Sequence, residues 1–553
     1  SFKSPEEMAE IAANVGSYTN WEKELLRNQT PQSEHTVSIS GGDEKIKFFT
    51  SLNYLSQSGI TKSDCLSYDR YNYRSNVSAH FDKIGLTMGM NVNGTLTDED
   101  YPNASAYTIY SRLKDRNPFE RPYNEDGTIS NQFDNPALIL DSPGEIVLRT
   151  VYNQLAVNLK WDLPWVKGLS IGMDGNYNIE SQDRKDWIEK APYYDADGNV
   201  TLQDPADISM SRSSYQNHRY DFNVRIDYKN TFAEKHNVQA TLVHNRQYYH
   251  GNNLSAGSNT CYTTAIQQIQ KGDASSITAS NGEGEQASMG YVGRLRYDYD
   301  NRYMVEFSGR YDGSDCFPKD NRFGFFPSVS AGWALSEENF FTPIKELGIF
   351  DYFKLRGSYG EIGINGAKHD DYAYMSTYNY NSNAYVIDGK LVNSITPGAT
   401  PSINMTWYTR KKYDIGFDFA TLNNKLEGSF DWFYETTKGY LSAPLYEYTD
   451  PIGYSLPLEV SEAEDRSEGL DGFVKYSDKI GQVEFSAGFN FTWYHSIAAK
   501  TNEDKVTLSN PYTRKQGYLY GYLGTGYVGT QFYTNPQDIL NNPKRIKSQD
   551  LRP

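Results

Sequence analysis

The chain has 553 residues, a formal charge of −17 and a mean hydropathy of −0.69. It has no apolar run of the roughly 18 residues a membrane helix needs, which excludes a helical membrane protein. The acidic balance, without a basic stripe, argues against a nucleic-acid partner. Three widely spaced cysteines, Cys65, Cys261 and Cys316, form neither a disulfide framework nor a metal-ligand spacing.

The chain opens "SFKSPEEMAEIAANVG". Ser4 is placed to cap a helix, Pro5 takes its first position and Glu7 completes the capping-box spacing, so a short surface helix is expected over 4–15. The start shows no initiator Met, basic n-region or apolar h-region, and no strand is in progress at the terminal "IKSQDLRP". Both ends read as cuts in a longer protein.

From residue 35 the apolar period becomes two. Tyr71, Tyr73, Val77, Ala79 and Phe81 alternate with Asn72, Arg74, Asn76, Ser78 and His80; Leu86, Met88, Met90 and Val92 alternate with Thr87, Asn91 and Asn93. The pattern recurs at Leu169–Ile179, Phe222–Tyr228, Tyr413–Phe419, Leu426–Tyr434 and Val483–Trp493, for roughly sixteen strands in all. Alternation over about ten residues fits a tilted membrane strand better than an ordinary strand of about five or six. Short links at 42–45, 82–85, 162–168, 229–237, 298–302, 421–425 and 477–482 alternate with long ones at 57–67, 95–147, 180–219, 250–288, 361–412 and 435–469. The link at 336–352 is intermediate and carries a helix-like "SEENFF".

A meander with short turns at one end and long loops at the other describes an all-β, transmembrane antiparallel β-barrel in the outer membrane, with short periplasmic turns and long extracellular loops. Closure satisfies every backbone amide in lipid. A soluble β-sandwich with one solvated face per sheet is the alternative, and it predicts no long/short regularity.

The hairpin at 303–335 shows the pattern at its strongest. Tyr303, Val305, Phe307, Gly309 and Tyr311 lead into the turn, and Phe325, Pro327, Val329, Ala331 and Trp333 lead out. The aromatics are expected to face lipid, with Tyr303 and Trp333 at the periplasmic end and Tyr311 and Phe325 at the outer end. Its segment "RYDGSDCFPKDNRFGFFPSVSAGWALSEENFF", followed by "KLRGSYGEIGINGA", resembles the barrel of the SusC/RagA family of TonB-dependent outer-membrane transporters. So do "VSISGGDEKIKFFTSLNYLSQSGI", "MGYVGRLRYDYDNRYMVEFSGRYDGS" and "YTRKKYDIGFDFATLNNKLEGSFDWFYETTKGYL".

The resemblance runs from about residue 20 to the C-terminus. It implies a 22-stranded barrel with an N-terminal plug, import of oligosaccharides or peptides, a SusD/RagB-like surface lipoprotein as lid, and energy delivered by TonB through the plug. A dimer of transporter–lipoprotein pairs is compatible with it. The expected organisation is an extracellular segment with a helix at 1–34, barrel strands and loops at 35–500, and a Gly/Tyr-rich extracellular loop at 501–553. The plug, one strand upstream and about five strands downstream are then absent from this sequence. A plug-free, porin-like diffusion barrel and a soluble carbohydrate-binding or carbohydrate-active β protein are the competing functions.

No catalytic constellation, cofactor motif or metal site is expected. The eight histidines form no H-E-x-x-H, and no G-x-S-x-G elbow occurs. "GTGYVG" at 524–529 matches a dinucleotide fingerprint but lacks its strand–turn–helix setting. "DGSD" at 312–315 with Asp320 lacks EF-hand spacing and reads as a turn. Tyr518, Tyr520 and Tyr522 are the substrate-binding candidates, with loop packing the favoured role. Arg74, Asn76, Arg294, Arg296, Arg310, Lys354 and Arg356 are expected to face the lumen and brace the plug or the wall rather than touch substrate.

Overall fold

A computed structural model describes residues 19–519 apart from 103, 119, 133, 142–143, 205–206, 366–371, 443–458 and 461. The expected helix at 4–15 and the segment at 524–529 lie outside the described residues.

The chain divides into two compact units, Ser1–Pro343 and Ile344–Pro553. Among the described residues the main antiparallel sheet has sixteen strands, eleven in the first unit and five in the second. In the first unit they are β1 (Gln32–Gly42), β2 (Ile46–Ser58), β3 (Ser67–Phe81), β4 (Leu86–Tyr101), β5 (Glu145–Asp162), β6 (Leu169–Ile188), β7 (Ile208–Phe232), β8 (His236–Cys261), β9 (Ile277–Tyr299), β10 (Tyr303–Ser314) and β11 (Phe323–Ala334). In the second they are β12 (Tyr352–Ile364), β13 (Tyr408–Thr421), β14 (Leu426–Lys438), β15 (Glu464–Ile480) and β16 (Val483–Lys500). Within each unit every strand pairs with the next in chain order.

The turns have local causes. Asp43 accepts from the Lys45 and Ile46 amides, both at 2.8 Å, and this closes the β1–β2 hairpin. Asp300 and Asn301 both adopt positive φ, 53° and 57°, as a two-residue turn matched to strand twist requires. The β13–β14 turn places Leu422, Asn423 and Asn424 all near +59°; Asn tolerates this conformation, Leu does so at a cost.

The strands outrun the sequence pattern. β7 and β8 have 25 and 26 residues, so the links expected at 180–219 and 250–288 shrink to 189–207 and 262–276. Toward their long-loop ends the alternation lapses, and Met210 and Cys261 are buried there against Trp187. On earlier strands side-chain bonds tie the ladder at the long-loop end: Arg149 on β5 donates to Asp98 on β4 at 2.6 Å, and Tyr54 on β2 donates to Asp69 on β3 at 2.9 Å. The link expected to carry a helix around "SEENFF" holds two 3-10 turns, Leu335–Glu337 and Asn339–Phe341, then an α-turn at Thr342–Glu346.

The two faces of the sheet separate as expected. On β10 and β11, Tyr303 pairs with Trp333, Val305 with Ala331, Phe307 with Val329 and Tyr311 with Phe325. All these large side chains are exposed, Phe307 by 52% and Phe325 by 57%. Tyr303 and Tyr311 are eight residues apart; at about 3.4 Å per residue and a tilt of about 40°, they stand about 21 Å apart in height. That matches the apolar band of about 25 Å between two aromatic girdles on an outer-membrane protein.

Candidate functional site

Three features can carry function: the polar face of the strands, the folded long connections of the first unit, and an exposed hairpin in the second.

The polar face changes character along the chain. On β1 to β5 its central rows are amides and hydroxyls, with Glu34, Arg70 and Arg74 on the same face. Thr36, Asn53, Asn72 and Thr95 stand in one cross-strand row. Asn53 donates to Thr36 at 2.7 Å, Asn72 to Asn53 at 3.0 Å and Thr95 to Asn72 at 2.8 Å. The neighbouring recess, about 470 Å³, is lined by Arg74, Asn76, Asn91, Asn93 and Gln154 among others. These rows offer both donors and acceptors beside the Arg74 guanidinium, which suits a hydroxylated solute.

Further along, the polar face is charged and self-paired. Arg225 meets Asp227 at 2.6 Å, Arg294 meets Glu306 at 2.6 Å and Arg310 meets Asp312 at 2.9 Å. In the second unit Arg356 pairs with Asp431 at 2.5 Å and Asp418 at 3.1 Å, with Asp414 at 3.8 Å. Arg294, Arg310 and Arg356 therefore brace the wall. Asp312, in the segment read as a turn, is held by Arg310, and Asp315 accepts from the Ala287 amide at 2.8 Å. Among the described residues no three His, Cys, Asp or Glu side chains gather as a metal site.

The long connections of the first unit fold into a small core of their own. Helix α1 (Trp21–Leu25) is capped by Asn20, whose side chain accepts from the Lys23 amide. Helix α2 (Ala106–Lys114) is capped by Ser105. Helix α3 (Pro136–Leu140) is capped by Asn135. Trp21 and Leu25 pack with Ile109 and Leu113, one turn apart on α2, and with Ala137, Ile139 and Leu140. Asn135, fully buried, donates to the Pro122 and Ser130 carbonyls and accepts from the Ala137 amide. Leu138 extends the packing to Ala191 and Tyr193 of the hairpin Ala191–Tyr194/Val200–Asp204. Burial, then the hydrogen bond it donates to Asp141, raises the Tyr123 phenol well above its ordinary value.

The opposite face of α2 displays Tyr107, 80% exposed, and Tyr110, with the Lys114 ammonium 4.5 Å from the Tyr110 ring centre. Sequence reading passed over this pair by treating 95–147 as one loop. The signal was present: a Ser cap followed by Ile109 and Leu113 at helical spacing puts both tyrosines on the other side.

In the second unit the connection after β12 projects a hairpin, Tyr378–Ile387 paired with Lys390–Pro397. Tyr378, Tyr380, Tyr385, Val386, Leu391 and Ile395 on it are each at least 60% exposed. Of the three tyrosine candidates, Tyr518 donates its hydroxyl to the Pro511 carbonyl at 2.7 Å and lies under the Arg514 guanidinium at 5.8 Å. Tyr520 and Tyr522 lie outside the described residues.

Residues 20–550 match the family described as TonB dependent receptor-like, beta-barrel. The chain belongs to that family. TonB-dependent receptors are β-barrel proteins of the outer membrane and are not enzymes, which removes the soluble alternative. The chain is 23% identical to the TonB-dependent receptor SusC of Bacteroides thetaiotaomicron, over 97% of its own length and 54% of that protein's. It is 24% identical to the TonB-dependent receptor P26 of Formosa agariphila, over 87% of its length and 46% of that protein's. It thus spans about half the length of these relatives. Among solved structures it is similar to the RagAB peptide transporter, with a TM-score of 0.72 at 18% identity, covering 87% of this chain and 52% of that one. The similarity to SusC and RagAB agrees with the SusC/RagA resemblance of the barrel phrases.

Proposed function

We propose that the protein containing this chain imports an oligosaccharide across the outer membrane, driven by TonB acting on a plug and assisted by a SusD-like surface lipoprotein. The observation that carries this reading is the hydrogen-bonded row of amides and hydroxyls across β1 to β4, set in a family of TonB-dependent receptors. A glycan needs neutral donors and acceptors along its path. In this reading the long connections, with the segments before β1 and after residue 500, are extracellular and the short turns periplasmic. The Tyr107–Tyr110 face and the Tyr378–Pro397 hairpin are the contacts for the lid or its cargo, since exposed apolar surface of this extent marks an interaction site.

The test is binding and uptake by the intact transporter–lipoprotein complex, with panels of neutral oligosaccharides and of peptides. Saturable, TonB-dependent glycan uptake supports the reading. Peptide-only uptake replaces the cargo and leaves the machine. Uptake or bilayer conductance independent of TonB establishes the porin-like alternative instead.

A further inference from the structure

The apolar face of β7 to β11 contains a groove that the transport reading does not use. Its floor is a cross-strand row of small residues: Gly293 on β9 pairs with Gly309 on β10, which pairs with Pro327 on β11. The row beneath holds Leu295 and Phe307; the row above holds His244, Tyr291, Tyr311 and Phe325. The trench has a volume of about 730 Å³ and an almost wholly apolar lining. It lies between the two aromatic girdles, immediately below the outer one.

Just above it the apolar face carries a charge. Arg246 on β8 is exposed and stands in register with Phe222 on β7 and Met289 on β9. Tyr248, the next residue of β8 on that face, donates to Glu285 at 2.7 Å, so that carboxylate is engaged. Arg246 makes no ion pair among the described residues. His244 stacks on Tyr291 with ring centres 4.7 Å apart, and its buried Nδ1 has no hydrogen-bond partner. An arginine at the outer girdle stands at headgroup depth, where its guanidinium reaches the anionic groups of the interface.

The geometry points to a specific lipid site: an acyl chain of a phosphate-bearing, outer-leaflet lipid fills the Gly293–Gly309–Pro327 trench while its phosphate sits on Arg246. Charge complementarity selects this occupant. The trench alone would accept any apolar surface; the trench with an unpaired guanidinium at its outer lip selects an anionic amphiphile. His244 contributes a ring nitrogen below that lip and the chain's stacking wall.

The full-length protein, purified in mild detergent and reconstituted in nanodiscs, tests this with bis-phosphorylated lipid A as the probe and phosphatidylcholine as the neutral control. Lipid retained per protein is read by native mass spectrometry. Arg246→Gln is expected to lower lipid A retention about fivefold, as one cation at a membrane surface would. Arg246→Lys is expected to restore most of it. Gly293→Leu is expected to lower it without unfolding, because a Cβ there meets only Leu242 Cδ2 at 3.7 Å.

Unchanged retention in Arg246→Gln and Gly293→Leu, with melting temperatures equal to the parent, overturns the site. Equal retention of phosphatidylcholine by the parent also overturns it. A dimer dissociated by Gly293→Leu assigns the trench to a second copy and equally rejects the lipid.

Discussion

Arg356 on β12 and Asp431 on β14 face each other across Gly416 of the intervening β13, with guanidinium nitrogens 2.5 and 2.6 Å from the two carboxylate oxygens. The bridge spans two strand spacings and exists because position 416 has no side chain. A Cβ there would lie 2.0 Å from Asp431 Oδ1 and 2.6 Å from the Phe430 carbonyl oxygen. Arg356 also donates to Asp418 and to the Ser429 hydroxyl, at 3.1 and 2.7 Å. Arg356→Ala leaves Asp414, Asp418 and Asp431 facing one another and is expected to cost about 1–3 kcal/mol, less than a fully buried pair because the site is partly wet. Gly416→Ala should cost a similar amount by displacing the bridge. Urea unfolding of the full-length protein in bilayers measures both; parent-like stability in Gly416→Ala would remove the spacer role.

At the short-turn end Glu338 accepts from the Tyr303 hydroxyl at 2.5 Å and from the Trp333 indole at 3.1 Å, and the Arg302 guanidinium lies 3.9 Å away. These donors, the Tyr303 bond first, hold the Glu338 carboxyl below its ordinary range. A depressed folded-state pKa contributes stability that is fully present above the unfolded value, near 4.5, and is lost as pH falls through the folded value. The girdle tie should therefore hold at neutral pH and fail on acidification. Glu338→Gln should flatten the acid limb of melting temperature against pH between about pH 5 and 3. An unchanged acid limb would show that other carboxylates set it.

The strand map was legible in the sequence because lipid imposes a strict rule on every second residue. The shared face of Tyr303, Phe307 and Tyr311 on β10 and of Phe325, Val329 and Trp333 on β11 follows from counting by twos, and the β13–β14 turn from the short link at 421–425. What escaped reading depends on registers between strands. Arg356 could be placed on the polar face, but its three carboxylates sit on two other strands, and Gly416 looked like an ordinary small residue. The folded loops escaped for another reason. The alternating pattern ends where the membrane ends, and the i,i+4 pair Ile109–Leu113 is too short a helical signal to stand out in a link of this length.

Asn135 is the fastener of that loop core. Its side chain joins the Pro122 carbonyl at 2.8 Å, the Ser130 carbonyl at 3.1 Å and the Ala137 amide at 3.0 Å, with no exposed surface. Asn135→Leu keeps the volume but strands the Ser130 carbonyl and the Ala137 amide, at about 1–3 kcal/mol each before relaxation, while the Pro122 carbonyl keeps the Ser130 amide at 3.0 Å. The strands do not depend on these bonds. The expected outcome is a correctly inserted protein whose 102–144 connection is cut rapidly by protease in intact cells, against a resistant parent. Equal resistance would mean that the packing of Trp21, Leu25 and Ile109 suffices alone.

The Tyr378–Pro397 hairpin gives the sharpest test of the lid contact. Its exposed Tyr380 and Ile395 are cross-strand partners, so one double substitution alters a single patch. Tyr380→Ser with Ile395→Ser removes apolar surface from both strands while leaving every main-chain pair in place. If the surface lipoprotein rests here, the variant should insert normally and melt within about 1 °C of the parent, since no buried group changes. Its recovery of lipoprotein on gentle solubilisation should fall about tenfold, as loss of one apolar anchor pair does at an interface. Full recovery would exclude the hairpin as the principal contact and transfer that role to the Tyr107–Tyr110 face, where Tyr107→Ser can be examined by the same pull-down.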